Sequence, residues 1–251
     1  MGSMGSLMVG AVKNTYKIAD IVFEATLQYK YVIEVLKDYL YDGPETPELT
    51  IEITDEDILH EKSLDTIYQN LPDAYYASLA VFRKICDYGL KYKQAIVFHS
   101  SAISVDGDAY LFTAPSGTGK STHARLWREL LGNRAVMVND DKPIIRYVDG
   151  DFYVYGTPWN GKHHLGSNIK AKIKAICLIS QAKENKIEKI STTQMLFTIL
   201  NQTIRPSEVE VMDNLLALTE KLLTKVKLYK LECNVSLDAA KLSYQTMSSE
   251  V

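Results

Sequence analysis

The stretch Ala114-Pro-Ser-Gly-Thr-Gly-Lys-Ser-Thr122 decides the fold of this chain of 251 residues. Gly117 and Gly119 permit backbone angles that turn successive N–H groups toward one point. A helix predicted to begin at Lys120 directs its first N–H groups toward the same point, where phosphate oxygens bind. Lys120 adds a positive charge, and Ser121 adds a hydroxyl of the kind that binds Mg²⁺. The stretch therefore fits the relaxed phosphate-loop pattern, with alanine where the strict pattern begins with glycine.

The flanking sequence supplies the context that such a loop needs. Ala109–Thr113 has the composition of a strand, and Lys120–Leu131 has apolar residues at helical spacing before it stops at Gly132. This context favours nucleotide binding over a chance glycine- and serine-rich turn. We expect ATP and Mg²⁺ as cofactors, and the predicted nucleotide-binding residues are Ser116, Gly117, Thr118, Gly119, Lys120, Ser121 and Thr122.

A pair of carboxylates follows the loop. Ala135–Val138 is a predicted buried strand that ends in Asn139-Asp140-Asp141, about twenty residues beyond Lys120. In phosphate-loop folds that strand lies beside the loop, so one carboxylate can hold Mg²⁺ while the other accepts a proton from an attacking hydroxyl. We assign Mg²⁺ to Asp140 together with Ser121, and the base to Asp141, while the reverse assignment stays open. The structural alternative is a solvated turn at the end of a strand.

The rest of the chain reads as alternating strands and helices, which predicts an α/β fold. Residues 1–91 are predicted to form a small N-terminal α+β region, of which 1–6 resemble a cloning tag, and residues 92–251 the phosphate-loop core. The predicted strands outside the loop region are Lys17–Thr26, Leu49–Ile53, Ala95–Phe98, Ile103–Val105, Lys174–Ser180 and Lys227–Glu232. The predicted helices are Tyr31–Tyr41, one starting at Thr54, Asp73–Leu90, Thr192–Thr203, Glu208–Val226 and Ser236–Met247.

Composition narrows the class of protein. The net charge is −3, from 28 basic and 31 acidic residues, which gives no electrostatic reason to expect nucleic acid or an anionic membrane as partner. No apolar run approaches the ~20 residues of a membrane span. The widely spaced Cys86, Cys177 and Cys233 are expected to be buried, reduced thiols in a cytoplasmic protein.

At this point the residues resemble a known family. His99–Thr122, followed by Val138–Asp141, is similar to the catalytic domain of HPr kinase/phosphorylase, whose fold is related to that of phosphoenolpyruvate carboxykinase. The resemblance covers roughly Gln94–Gly161. It implies a carboxykinase-type core with a mixed sheet, and transfer of a phosphoryl group from a nucleotide to a hydroxyl, often of serine. It also implies that His99 lies in the active site beside the phosphate or the acceptor.

The chain departs from this family after the acidic pair. The family has an Arg-Gly element there, and no Arg-Gly dipeptide occurs in this sequence, so we expect a smaller, divergent relative and not a true HPr kinase. Tyr155–His164 stands in its place. We interpret it as an acceptor-binding loop in which Trp159 packs on the substrate and Lys162 or a histidine contacts phosphate. The alternative is a turn whose tryptophan fills the core.

These observations lead to two functional hypotheses. The first is an ATP- and Mg²⁺-dependent kinase whose catalytic residues are Asp141, Asp140, His99 and Lys120, with a hydroxyl acceptor in a peptide, a protein or a small molecule. The second is a nucleotide-sensing or scaffolding module that binds ATP without turnover. The sequence does not name the acceptor or fix the oligomeric state, and a homo-oligomer is compatible with it.

Overall fold

The computed structural model describes residues 7–66, 71–206 and 208–249. The chain divides into two compact units, Met1–Gly89 and Leu90–Val251. Each unit has a sheet of its own. The tag expected at residues 1–6 lies outside the described residues.

The N-terminal unit has a three-stranded sheet of β1 (Met8–Ile18), β2 (Ile21–Tyr29) and β3 (Leu49–Glu52). β1 and β2 are antiparallel, whereas β3 runs parallel to β2. The prediction of one strand over Lys17–Thr26 is therefore wrong. Ala19 and Asp20, with φ of 52° and 54°, reverse the chain in the middle of that segment. Consecutive left-handed residues make the tight turn that suits a hairpin, and here neither of them is glycine.

The helices of this unit are α1 (Lys30–Leu36), which continues into a short 3₁₀ turn, and α2 (Asp55–Leu64). α3 (Asp73–Tyr92) begins in this unit and ends in the next. The helix start predicted at Thr54 is confirmed. Its hydroxyl accepts the N–H of Asp57 at 3.2 Å, and the carboxylate of Asp57 accepts the N–H of Thr54 at 2.9 Å, so two N–H groups that the helix leaves free are paired.

The core unit is a nine-stranded mixed sheet with four further helices. Its strands are β4 (Ala95–Val97), β5 (Ser101–Val105), β6 (Asp108–Thr113), β7 (Ala135–Asn139), β8 (Ile144–Val148), β9 (Asp151–Tyr155), β10 (Lys170–Gln181), β11 (Lys186–Lys189) and β12 (Lys227–Cys233). Its helices are α4 (Lys120–Leu131), α5 (Thr192–Asn201), α6 (Val209–Lys225) and α7 (Leu237–Ser248).

The strand order is β4-β8-β9-β10-β6-β5-β7, and β12 pairs with both β10 and β11. β6 and β12 run parallel to β10, and the other pairs are antiparallel. The predicted mixed α/β architecture is thus confirmed. The β8–β9 hairpin and β11 were not predicted. Asp149 and Gly150, both with positive φ, form the hairpin's turn, and an Asp-Gly pair is a standard signal for such a turn.

Two apolar clusters cover opposite faces of this sheet, because alternate residues of a strand point to opposite sides. Ala109 and Leu111 of β6 belong to one cluster, with residues of α5 and α6. Tyr110 and Phe112 belong to the other, with residues of α4 and α7. β10 contributes to both, and Lys174 forms a bulge where its pairing with β6 shifts by one residue between Ile173 and Ala175.

The cysteines of the sequence are free thiols, and all three are buried, as expected. Over the ranges that the structure describes, no helix combines the length and the apolar character needed to cross a membrane.

Candidate functional site

The predicted phosphate loop connects β6 to α4, and the helix begins at Lys120 as predicted. Gly117 and Gly119 have φ of 79° and 122°, a region where a side chain would strain the backbone. Gln181 at the end of β10 donates to the carbonyl of Thr118 at 3.0 Å. The loop is therefore shaped by its glycines and held from the neighbouring strand.

The start of α4 presents unpaired donors. The first hydrogen bond of the helix runs from the N–H of His123 to the carbonyl of Gly119, at 2.9 Å. Within the described residues, the N–H groups of Lys120, Ser121 and Thr122 have no partner. Three free N–H groups in one turn are the donor set that an anion such as phosphate satisfies.

Lys120 places a largely buried cation at this loop. Its side chain folds back so that Nζ donates to the carbonyl of Ala114 at 2.9 Å. Burial lowers the pKa of Lys120, and the negative charges of Asp141 and Asp140 partly offset this effect. The ammonium group is thus within electrostatic range of both acidic residues. A bound phosphate would add a nearby negative charge, which favours the protonated form of a buried lysine.

The topology brings the acidic pair to the same edge of the sheet. β5 is antiparallel to both β6 and β7, so β6 and β7 run in the same direction and their carboxyl ends lie together. β7 does not pair with the loop's strand β6, because β5 stands between them. The tight turn at Asp106-Gly107 joins β5 to β6 as a hairpin, so β5 takes the position next to β6.

The segment that leads into β5 bridges the loop's strand and the acidic pair. Thr113, the last residue of β6, donates its hydroxyl to the carbonyl of His99 at 3.2 Å. Ser100 donates its N–H to the carbonyl of Asp141 at 3.2 Å. The Ser101 hydroxyl donates to Oδ1 of Asp140 at 2.5 Å. Residues 99–101 therefore join the two strand ends that carry the predicted chemistry.

His99 and Lys142 surround the carboxylate of Asp141. Nε2 of His99 lies 3.2 Å from its Oδ1, and Nζ of Lys142 lies 3.2 Å from its Oδ2. Burial raises the pKa of Asp141, but the hydrogen bond from His99 and the charges of Lys142 and His99 outweigh burial and hold it below the ordinary value of 3.8. Asp141 is therefore ionised at neutral pH.

The segment predicted to bind the acceptor packs against the acidic pair. A methyl group placed on Gly161 would lie 3.3 Å from Cβ of Asp141, and the N–H of Lys142 donates to the carbonyl of Trp159 at 3.2 Å. The Trp159 side chain is buried, being 7% exposed, which leaves it little surface for a substrate. The side chains of Lys162, His163 and His164 are exposed.

The residues predicted to bind Mg²⁺ fit that ion chemically. Oδ1 of Asp140 accepts the Ser101 hydroxyl, and among the described residues its Oδ2 has no hydrogen-bond partner. Ser121 is partly exposed at the start of α4. Mg²⁺ prefers one or two protein oxygens together with substrate phosphates and water, and this pair provides two. The described residues contain no group of three or more His, Cys, Asp or Glu side chains arranged to hold a metal ion.

Comparison with known proteins finds likenesses among solved structures. No family model matches the chain, and no curated protein matches it. Among solved structures, it is similar to the HPr(Ser) kinase/phosphatase of Coxiella burnetii, with 8% sequence identity, a TM-score of 0.35, and coverage of 61% of this chain and 99% of that one.

Sequence reasoning missed several residues that build the site. Ser101 lies 39 positions before its partner Asp140, so no local pattern reveals the contact. Asn139 stands directly before the acidic pair, yet its side chain joins that pair to Thr157, 18 positions away. The available signal was chemical: a polar residue at the end of a buried strand needs hydrogen-bond partners.

Proposed function

We propose that this protein is a phosphotransferase that uses ATP and Mg²⁺ and transfers the γ-phosphoryl group to a hydroxyl acceptor of the serine type. One observation carries the proposal. The loop with free N–H groups and the acidic pair stand at one edge of the sheet, and the negative charges of Asp141 and Asp140 act on the ammonium group of Lys120. A phosphate bound by the loop would therefore lie beside a candidate base.

The loop residues supply phosphate binding. The free N–H groups of Lys120, Ser121 and Thr122 would receive the phosphate oxygens, and the Lys120 ammonium group would turn from Ala114 toward them. The Ser121 hydroxyl and the Asp140 carboxylate are the protein oxygens that would hold Mg²⁺. When bound there, Mg²⁺ would supply positive charge that offsets the charge of the phosphate.

Asp141 is the candidate base. Its carboxylate is ionised and accepts a hydrogen bond from His99. An acceptor hydroxyl that took the place of His99 could donate its hydrogen to the same carboxylate oxygen. Nearby phosphate charges would raise the pKa of Asp141, because like charges disfavour a second negative charge. Nucleotide binding therefore makes the carboxylate a better proton acceptor when the acceptor arrives.

The turn at Gly161 is the proposed acceptor side of the site. It lies against Asp141, and it exposes Lys162 next to two histidines. An acceptor seated there would have its hydroxyl beside the base. Because Trp159 is buried, we assign it to holding the turn, and we assign acceptor contact to Lys162.

The deciding experiment measures ADP release by the purified chain with ATP and Mg²⁺, alone and with free serine, serine-containing peptides and cell extract. Phosphoamino-acid analysis of the products identifies the acceptor hydroxyl. Acceptor-dependent ADP release that is lost in Asp141→Asn supports the proposal. Tight Mg²⁺–ATP binding without turnover on any acceptor would instead favour the nucleotide-sensing module.

A further inference from the structure

Asn139, the last residue of β7, fixes the course of the chain through the acidic pair. Its side chain is fully buried. Oδ1 accepts the N–H of Asp141 and the N–H of Lys142, both at 2.8 Å. Two incoming N–H groups identify this atom as the amide oxygen. The backbone on either side of the Asp141 carboxylate is therefore held by one side chain.

The other end of the same amide reaches the acceptor side. Nδ2 of Asn139 donates to the carbonyl of Thr157 at 2.9 Å and to its hydroxyl oxygen at 3.0 Å. The Thr157 hydroxyl in turn donates to the carbonyl of Lys142 at 2.8 Å. Thr157 is also fully buried. These hydrogen bonds close a ring that joins the end of β7 to the segment leading to Gly161.

We infer that Asn139 and Thr157 are positioning residues, which hold the Asp141 carboxylate and the Gly161 turn at a fixed separation. We call the ring of hydrogen bonds through Asn139 and Thr157 the tether. The expected effect on catalysis rests on the proposed function, whereas the tether itself does not. Neither side chain is exposed to touch a substrate. Their effect comes through placement, because a base acts only within hydrogen-bond reach of the proton that it accepts.

Thr157 offers a matched pair of variants. Thr157→Val keeps the shape and removes the hydroxyl, and Thr157→Ser keeps the hydroxyl and removes a methyl group. We expect Thr157→Val to lower kcat for acceptor phosphorylation by about 10- to 100-fold, as misplaced catalytic groups do. The KM for ATP should stay within about 2-fold, because the loop is untouched. Thr157→Ser should keep a kcat within about 3-fold of the wild type. A general loss of folded protein would not produce this pattern.

Hydrogen exchange tests the tether without any activity. We expect the amides of Asp141 and Lys142 to exchange at least about 10-fold faster in Thr157→Val than in the wild type or Thr157→Ser. Equal exchange in all three proteins would overturn the inference, as would wild-type kcat in Thr157→Val. If the wild type does not turn over ATP, the proposed function fails and the exchange comparison still decides the tether.

A measurement on the wild type covers the case in which Thr157→Val does not fold. The Asn139 side-chain amide protons, followed by NMR, should be protected from exchange with solvent, because Nδ2 is buried and donates to the carbonyl and hydroxyl oxygens of Thr157. Rapid exchange of these two protons, at the rate of an exposed asparagine, would overturn the inference.

Discussion

Nε2 of His99 lies 3.2 Å from Oδ1 of Asp141, although one residue precedes β5 and the other follows β7. The contact joins two segments that the chain brings together only through the order of strands in the sheet. It keeps the carboxylate charged and oriented. An ionised Asp141 can accept a proton and has none to donate.

Replacing Asp141 by asparagine separates binding from transfer. Asp141→Asn keeps the shape and removes the negative charge, so we expect Mg²⁺–ATP to bind with a Kd within about 3-fold of the wild type. Phosphoryl transfer should fall by at least about 100-fold, because the proton acceptor is gone. Calorimetric titration and ADP release measure the two quantities. Normal turnover by this variant would remove the assignment of the base.

Removing the Lys120 ammonium group tests the phosphate loop. We expect Lys120→Ala to raise the Kd for Mg²⁺–ATP by about 10- to 100-fold, since a charged hydrogen bond contributes about 1.5–3 kcal/mol. Arg125→Ala is the control, because Arg125 lies on the same helix but is exposed and paired with Glu129 at 3.5 Å. Equal affinities in the two variants would argue against nucleotide binding at this loop.

His123 makes the core unit sensitive to acid. It is buried beside Phe112, its Nε2 lies 2.9 Å from the Ser243 hydroxyl, and its Nδ1 has no hydrogen-bond partner among the described residues. Burial lowers the pKa of His123 to about 4. In the unfolded chain the pKa of this histidine is about 6.5. At a pH between these two pKa values, the histidine is protonated in the unfolded chain and neutral in the folded chain. This residue should therefore remove roughly 2 kcal/mol of stability between pH 7 and pH 5.

Urea unfolding at both pH values measures this effect. The fluorescence of Trp127 and Trp159 reports on the core unit, which contains both tryptophans of the chain. The loss of stability on acidification should be smaller by that amount in His123→Gln. It should be unchanged in His60→Gln, because His60 is exposed. An equal loss in His123→Gln and the wild type would contradict the prediction.

Gly156 is required because another part of the backbone lies where a side chain would be. A methyl group on Gly156 would come within 1.9 Å of the Ser167 carbonyl oxygen and 2.7 Å of that of Val138. We expect Gly156→Ala to destabilise the core unit by at least about 3 kcal/mol. Gly107→Ala should cost only about 1 kcal/mol of backbone strain, since Gly107 has positive φ but open space around it. Urea unfolding of the two variants compares these costs.

The local parts of the site were accessible from sequence. Lys120–Leu131 is a helix with the predicted bounds, because the glycines before it, the apolar spacing within it and Gly132 after it are all local signals. The strand ahead of the acidic pair was predicted for the same reason. Asp149-Gly150 carried an equally local signal that would have revealed the β8–β9 hairpin.

The non-local parts were not accessible. The position of β5 between β6 and β7 depends on pairing across the sheet, which no short window of sequence records. The turn at Ala19-Asp20 uses left-handed residues that are not glycine, so composition gives no warning of it. The contact of Ser101 with Asp140 and the ring through Asn139 depend in the same way on segments that meet only in the folded chain.

The bulge at Lys174 has a consequence for how this sequence tolerates insertion and deletion. On either side of it, β10 alternates with opposite phase, so Ala171 and Ile173 serve one apolar cluster while Ala175 and Cys177 serve the other. Deleting Lys174 would leave Ile173 opposite Ala109 and Ala175 opposite Tyr110, so β10 would alternate regularly and its apolar residues would keep their faces. Loss of this one residue would remove the ion pair of Lys174 with Asp108, whereas a one-residue deletion in the regular stretch Ala175–Gln181 would move the apolar residues beyond it to the opposite face.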